Sequence, residues 1–148
     1  MYQKKFMEQA ISMARYSNDP NTHVGCLLVN AKGKKIGLGY NRMPEKALKQ
    51  FPWGKEGKLF ETKYPYVIHA EMAAMKEGLF ASKGFLNNEL DCYVTLFPCS
   101  NCAKLLVEFG VKHIYYTDDK YSHTEDTIAS KNLLKGCGID FEMVEVDK

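Results

Sequence analysis

Two short stretches of this 148-residue chain carry side chains suited to metal chemistry: His69-Ala70-Glu71 and Pro98-Cys99-Ser100-Asn101-Cys102. Imidazole nitrogen and cysteine thiolate are usual zinc ligands, so His69, Cys99 and Cys102 form a three-ligand set. A structural zinc site is normally closed by a fourth protein ligand, whereas a catalytic one leaves that position open for water. Glu71 is then a spare carboxylate beside a water whose pKa zinc lowers to about 7. It can accept a proton as the water attacks and return it as the scissile bond breaks. The pattern predicts metal-assisted hydrolysis with Glu71 as the base. A redox pair at Cys99 and Cys102, or an ordinary core histidine at 69, is the plain alternative. The joint spacing, with His69 thirty residues upstream of Cys99 and a proline before it, weighs against both.

The periodicity shows what must hold these residues. Residues 2–17 carry apolar side chains at helical spacing, and Asn18-Asp19-Pro20 ends the pattern. Residues 23–29 and 35–40 read as antiparallel strands joined by a turn at Asn30-Ala31-Lys32-Gly33. Residues 41–68 read as a long loop holding Pro44, Pro52, Pro65 and Trp53, and ordered loops of that length are often functional. Helices are expected over 69–80, 99–109 (closed by Gly110) and 125–134, and strands over 91–96, 113–117 and 139–146. Both chemical motifs then open helices, so two positive dipole ends converge on the thiolates. In a first turn, His69 can face the metal while Glu71 faces the water. The later alternation of strand and helix predicts an α/β layered sheet with parallel neighbours.

Composition adds bounds. With 45% hydrophobic, 12% aromatic and 26% charged residues, the chain reads as one globular domain over 1–148. A net charge of +2, from 20 basic and 18 acidic residues, is too balanced to argue for a polyanion-binding face, so no nucleic-acid partner is expected. The first residues lack the apolar stretch of a signal peptide, and no run approaches the roughly 20 apolar residues that span a membrane. A cytoplasmic protein without a membrane partner is expected. Five cysteines, two in C-x-x-C spacing, do not suggest a disulfide framework. Cys26, Cys92 and Cys137 lie in apolar settings and are expected to be buried small hydrophobes. His23, His113 and His123 show no ligand spacing and are expected in structural or surface roles.

The chain resembles the cytidine/deoxycytidylate deaminase superfamily, and within it the deoxycytidylate (dCMP) branch. The resemblance rests on H-x-E with P-C-x-x-C, on residues 18–26 (Asn-Asp-Pro-Asn-Thr-His-Val-Gly-Cys) and Gly39-Tyr40-Asn41. It extends to Tyr64-Pro65-Tyr66-Val67, Leu96-Phe97-Pro98-Cys99 and Asp119-Lys120-Tyr121, so it spans most of the chain. It implies a three-layer α/β/α sandwich around a five-stranded mixed sheet. It also implies conversion of dCMP to dUMP and ammonia, supplying dUMP for thymidylate synthesis, with Glu71 shuttling the proton to a ring nitrogen and the leaving amine. On the same footing Asn41 would bond the sugar 3′-hydroxyl, Thr22 and Val24 would line the base pocket, and Tyr121 would close over the nucleotide. The backbone at Ala70 and at Leu96, Phe97 and Pro98 would read the amide edge of the base. Core packing is the alternative for Val24 and Tyr121, and a strand-ending turn for Asn41. The family is typically a homohexamer, activated by dCTP with Mg²⁺ and inhibited by dTTP, with the Gly-Tyr-Asn loop in the effector site. That points to Tyr40 and Arg42 here. Arg42 and Lys46 replace usual glycines. An arginine fork suits phosphate oxygens, while a solvated basic edge of Arg42, Lys46 and Lys49 is the alternative. The 41–68 loop has no His or Cys, so a single Zn²⁺ is expected.

Two competing readings share the metal motifs. A tRNA adenosine deaminase would need a basic strand-binding face. A non-catalytic zinc-binding interaction module would have no use for Glu71.

Overall fold

Short strands buried on both faces at the centre of a sheet organise the molecule. The computed structural model describes residues 2–47, 50–82 and 89–146. The elements are α1 (Lys4–Ala14), β1 (Gly25–Val29), β2 (Lys35–Tyr40), α2 (Ala70–Ser82), β3 (Leu90–Leu96), α3 (Ser100–Phe109), β4 (Val111–Asp118), α4 (Glu125–Gly136) and β5 (Asp140–Met143). They form one five-stranded sheet in the order β2-β1-β3-β4-β5. The β1 strand pairs antiparallel with β2 and β3, and the β3-β4 and β4-β5 pairs are parallel. The expected mixed α/β sandwich is the observed fold.

Successive residues of a strand face opposite sides of the sheet. On one side Leu27, Val29, Tyr93 and Tyr115 pack with Phe6, Met7 and Ala10 of α1. On the other, Cys26, Leu28, Cys92, Val94 and Ile114 pack with Ala70, Ala74 and Met75 of α2, Leu106 of α3 and Leu134 of α4. The sheet is therefore covered on both faces, as its parallel half requires.

Helix α2, which carries Glu71, lies unusually close to β2. A Cβ on Gly39 would stand 2.5 Å from the Ala74 amide nitrogen and 2.6 Å from the Ala70 carbonyl oxygen. Gly39→Ala is therefore expected to push out the start of α2, costing about 1–3 kcal/mol of stability and lowering turnover without removing a reacting group. Urea denaturation alongside a rate measurement checks this; unchanged values for both would show that α2 yields freely.

Three expectations need correction. Cys137 is exposed, not buried. It caps α4 in the turn to β5, and Ile139 supplies the buried side chain there. The last strand is only Asp140–Met143; beyond it Val144 N–H donates to the Tyr116 carbonyl at 2.8 Å and its side chain packs on the α1 side of the core. The 41–68 segment is more ordered than a plain loop. It has short 3-10 turns at Glu45–Ala47 and Leu59–Glu61, and an antiparallel bridge between Arg42 and Ile68 closes its base.

Candidate active site

The closed base of that segment makes the site. Arg42 N–H donates to the Ile68 carbonyl at 3.0 Å, and Ile68 N–H donates to the Arg42 carbonyl at 2.7 Å. Asn41 and His69, 28 residues apart in sequence, thus flank one bridge. Both predicted motifs begin helices. The His69 carbonyl accepts from Ala73 N–H, and Cys99 is the N-cap of α3, its carbonyl accepting from Ala103 N–H.

His69 Nδ1 lies 3.3 Å from Cys102 Sγ and 3.5 Å from Cys99 Sγ. Among the described residues, this is the one cluster of three or more His, Cys, Asp or Glu side chains arranged to hold a metal ion. Tetrahedral zinc, with Zn–S about 2.3 Å and Zn–N about 2.0 Å, separates nitrogen from sulfur by about 3.5 Å. The donor set and its spacing fit zinc. The electrostatics agree. Hydrogen bonds, first from Cys102 and also from His69, pull the Cys99 thiol down to about 4 despite its burial. The Cys102 thiol is pushed far up, mainly by that bond to Cys99 and then by burial. His69 is raised, first by its hydrogen bond to Cys99. The cluster thus favours the thiolate at Cys99, and a metal held by these three side chains would release the protons of the other ligands on binding.

Glu71 is buried and lies outside that donor set. Burial lifts its carboxyl to about 7, with the neighbouring His69 acting in the opposite sense. A carboxyl held near neutrality both accepts and releases a proton readily.

A cleft of about 510 Å³ joins these groups. Its walls include Thr22, Val24, Asn41, His69, Ala70, Glu71, Cys99 and Tyr121. Residues 96–98 place no side chain on it: Phe97 packs edge-on against Tyr116 and Phe141, and the Pro98 carbonyl accepts from Ser130 Oγ. Asn41 is buried, with Nδ2 donating to the Thr22 carbonyl and Oδ1 accepting from Val24 N–H, both at 2.8 Å. That second bond takes an amide which the strand pattern assigns to the sheet ladder, so β1 begins at Gly25. Tyr40 and Arg42 lie elsewhere, on a separate depression of about 390 Å³ with Glu45, Lys76, Glu77 and Phe80. Lys46 is exposed, and Lys49 lies outside the described residues.

Sequence reasoning missed several groups. Asp19 and Lys63 form a buried ion pair on the cleft wall. Asp126 also borders the cleft and fixes the Cys99–Cys102 turn by accepting from Ser100 N–H at 3.0 Å and Ser100 Oγ at 2.5 Å. Asp19 lay within a quoted motif, but no local period pairs it with a lysine 44 residues away. His23 and His113 have structural partners, the Asp19 carbonyl at 2.8 Å and Glu142 at 3.1 Å. Cys26 and Cys92 are buried and free, with sulfurs 3.7 Å apart.

The family model described as the cytidine and deoxycytidylate deaminase zinc-binding region matches residues 1–118. This chain belongs to that family. It is a zinc-dependent deaminase. It is 41% identical over 140 residues to the deoxycytidylate deaminase of Mus musculus, covering 92% of this chain and 75% of the mouse protein. The deoxycytidylate deaminase of Homo sapiens is 40% identical over the same shares of the two chains. Among solved structures, the dCMP deaminase of the cyanophage S-TIM5 in complex with dCMP and dUMP superimposes with a TM-score of 0.68 at 24% identity. That match covers 95% of this chain and 94% of the phage chain, and it shows the shared fold. No helix of the deaminase is long and apolar enough to cross a membrane, among the described residues.

Proposed function

We propose that this deaminase converts dCMP and water to dUMP and ammonia. The observation that carries the reading is one cleft lined by His69 and Cys99 of the three-donor set, the buried Glu71 carboxyl and the anchored Asn41 amide. The 41% identity to a deoxycytidylate deaminase supports dCMP as the substrate. His69, Cys99 and Cys102 would hold zinc, which would supply a Lewis acid for the attacking water. Glu71 takes one proton from the water and passes it to the ring nitrogen as the oxygen adds to the amino-bearing carbon. It then takes the proton of the added hydroxyl and hands it to the amine as the C–N bond breaks, leaving the carbonyl of dUMP and ammonia. Asn41 orients the sugar 3′-hydroxyl, with the Nδ2 proton not held by Thr22 still free to donate. Thr22 and Val24 flank the base, and Tyr121, half out in solvent at the cleft edge, folds over the nucleotide. The roles of Ala70 and of residues 96–98 are carried by their backbone. The protein acts in the cytoplasm.

A phosphate held by charged groups should matter. Hydrogen bonds to charged groups contribute about 1.5–3 kcal/mol each, and Lys55 and Tyr64 edge the cleft. The expected kcat/KM for dCMP exceeds that for deoxycytidine by about 10–10²-fold. An ammonia-release assay with both substrates, cytidine and a tRNA stem-loop tests the reading. Equal values for dCMP and deoxycytidine remove the phosphate subsite, and release only from the stem-loop replaces the substrate.

The reading extends to regulation. The enzyme is a homohexamer activated by dCTP with Mg²⁺ and inhibited by dTTP, through Tyr40 and Arg42. Their depression shares no lining residue with the catalytic cleft, and Arg42 brings a guanidinium to it. An effector must bind two conformations unequally. Magnesium dCTP is therefore expected to make a sigmoidal dCMP curve hyperbolic, and dTTP to oppose it. Superimposable curves, or a monomer by light scattering, would overturn the regulatory part alone.

A further inference from the structure

Asp19 carries a full charge in a nearly solvent-free place, which is costly unless structure depends on it. Its side chain is 1% exposed, and its partner Lys63 is 9% exposed. One carboxylate oxygen meets the Lys63 ammonium. The other accepts the backbone N–H of Asn21 at 2.8 Å and of Thr22 at 3.3 Å. The Thr22 carbonyl in turn receives Asn41 Nδ2, and Asn41 Oδ1 receives Val24 N–H. Burial alone would raise the Asp19 carboxyl, but Lys63 and those two amides outweigh it and hold the group below its ordinary value. Lys63 reaches the other way through its backbone. Its carbonyl accepts Tyr66 N–H and Val67 N–H, both at 2.9 Å, in the turn that leads into Ile68 and His69.

We propose that Asp19, with Lys63 as its counter-ion, is a positioning residue of the cleft: it fixes residues 21–24 and through them the Asn41 amide, in register with the turn that delivers His69. This rests on the nucleotide role proposed for Asn41. Asn41 is remote from the bond that breaks, so its contacts act equally on ground and transition states. Misplacing it raises KM and leaves kcat nearly unchanged.

Breaking one half of a buried pair strands the other charge, so the test uses two charge-free pairs. Asp19→Asn with Lys63→Met keeps an oxygen acceptor for Asn21 and Thr22. Asp19→Ala with Lys63→Met removes it. With zinc-loaded proteins, the first is expected to keep KM for dCMP within about threefold of the wild type. The second is expected to raise KM about tenfold or more, with kcat within about threefold and the zinc content unchanged. A large KM rise in both pairs would overturn the proposal, because Lys63 would then be touching substrate itself. Equal, near-normal KM in both would also overturn it. A readout free of turnover accompanies the kinetics: the Asn41 side-chain amide protons, followed by NMR, keep their shifts and slow exchange in the first pair and lose them in the second. A wild type inert toward dCMP would refute the substrate reading, while the amide signals would still decide the positioning role.

Discussion

Glu71→Ala is expected to lower kcat for dCMP by about 10²–10⁴-fold while leaving one zinc per chain and an intact fold. The range is what a positioned proton carrier contributes. Zinc survives because Glu71 stands outside the His69, Cys99 and Cys102 donor set. Glu71→Gln, which keeps the shape but cannot carry the proton, should lose activity comparably. The same variant separates charge from chemistry in the metal-free protein. Burial raises the folded-state carboxyl to about 7, against about 4.3 in an unfolded chain. Between those values the unfolded chain has released a proton that the folded one retains. Metal-free wild type should therefore lose stability relative to metal-free Glu71→Gln as pH rises from about 4 to 7, and the difference should persist above it. The Cys99 and His69 titrations, which also act in this range, are common to both proteins and drop out of the difference. Urea denaturation at several pH values checks the sign, and zinc analysis with single-turnover rates checks the chemistry. Near-normal turnover in Glu71→Ala would remove Glu71 as the base.

Cys102→Ala is expected to abolish both metal retention and activity. It leaves two donors, His69 and Cys99, of a set whose atoms lie within 4.8 Å of one another. Changes one shell further out cost about 10–100-fold in metal affinity, and loss of a ligand should exceed that. Metal that binds only the folded state adds about 2.7 kcal/mol of stability at one hundred times its dissociation constant, so the zinc-dependent rise in Tm should vanish. The variant should still fold, because Cys102, though fully buried, belongs to neither of the two apolar clusters that cover the sheet, and alanine removes only its sulfur. Treating the wild type with a chelator should reproduce both losses, and added zinc should restore only the wild type. Full zinc occupancy in Cys102→Ala would mean that another side chain completes the site.

Each half of the ligand set was legible because it is local, and the H-x-E and P-C-x-x-C signature joined the halves across the thirty residues between His69 and Cys99. The pairs His69/Glu71 and Cys99/Cys102 each lie within the opening of one helix, where spacing dictates direction, and the structure places all four side chains on one site. The element order was legible for a similar reason: strand alternation and helical periodicity are properties of neighbours in sequence. The resemblance then supplied the mixed five-stranded sheet, which is the one observed; its order β2-β1-β3-β4-β5 came from the structure. Partners far apart in sequence were not legible. The Arg42–Ile68 bridge brings Asn41 beside His69, Asp19 meets Lys63 across the cleft wall, and Asp126 of α4 clasps Ser100 of α3. Each depends on which strands lie side by side and how closely the helices settle on them. Phe97, beside the metal motif in sequence, turns into the core, and Cys137, amid apolar neighbours, turns out to solvent. Local composition cannot distinguish those outcomes, because burial is set by what the packed layers leave uncovered.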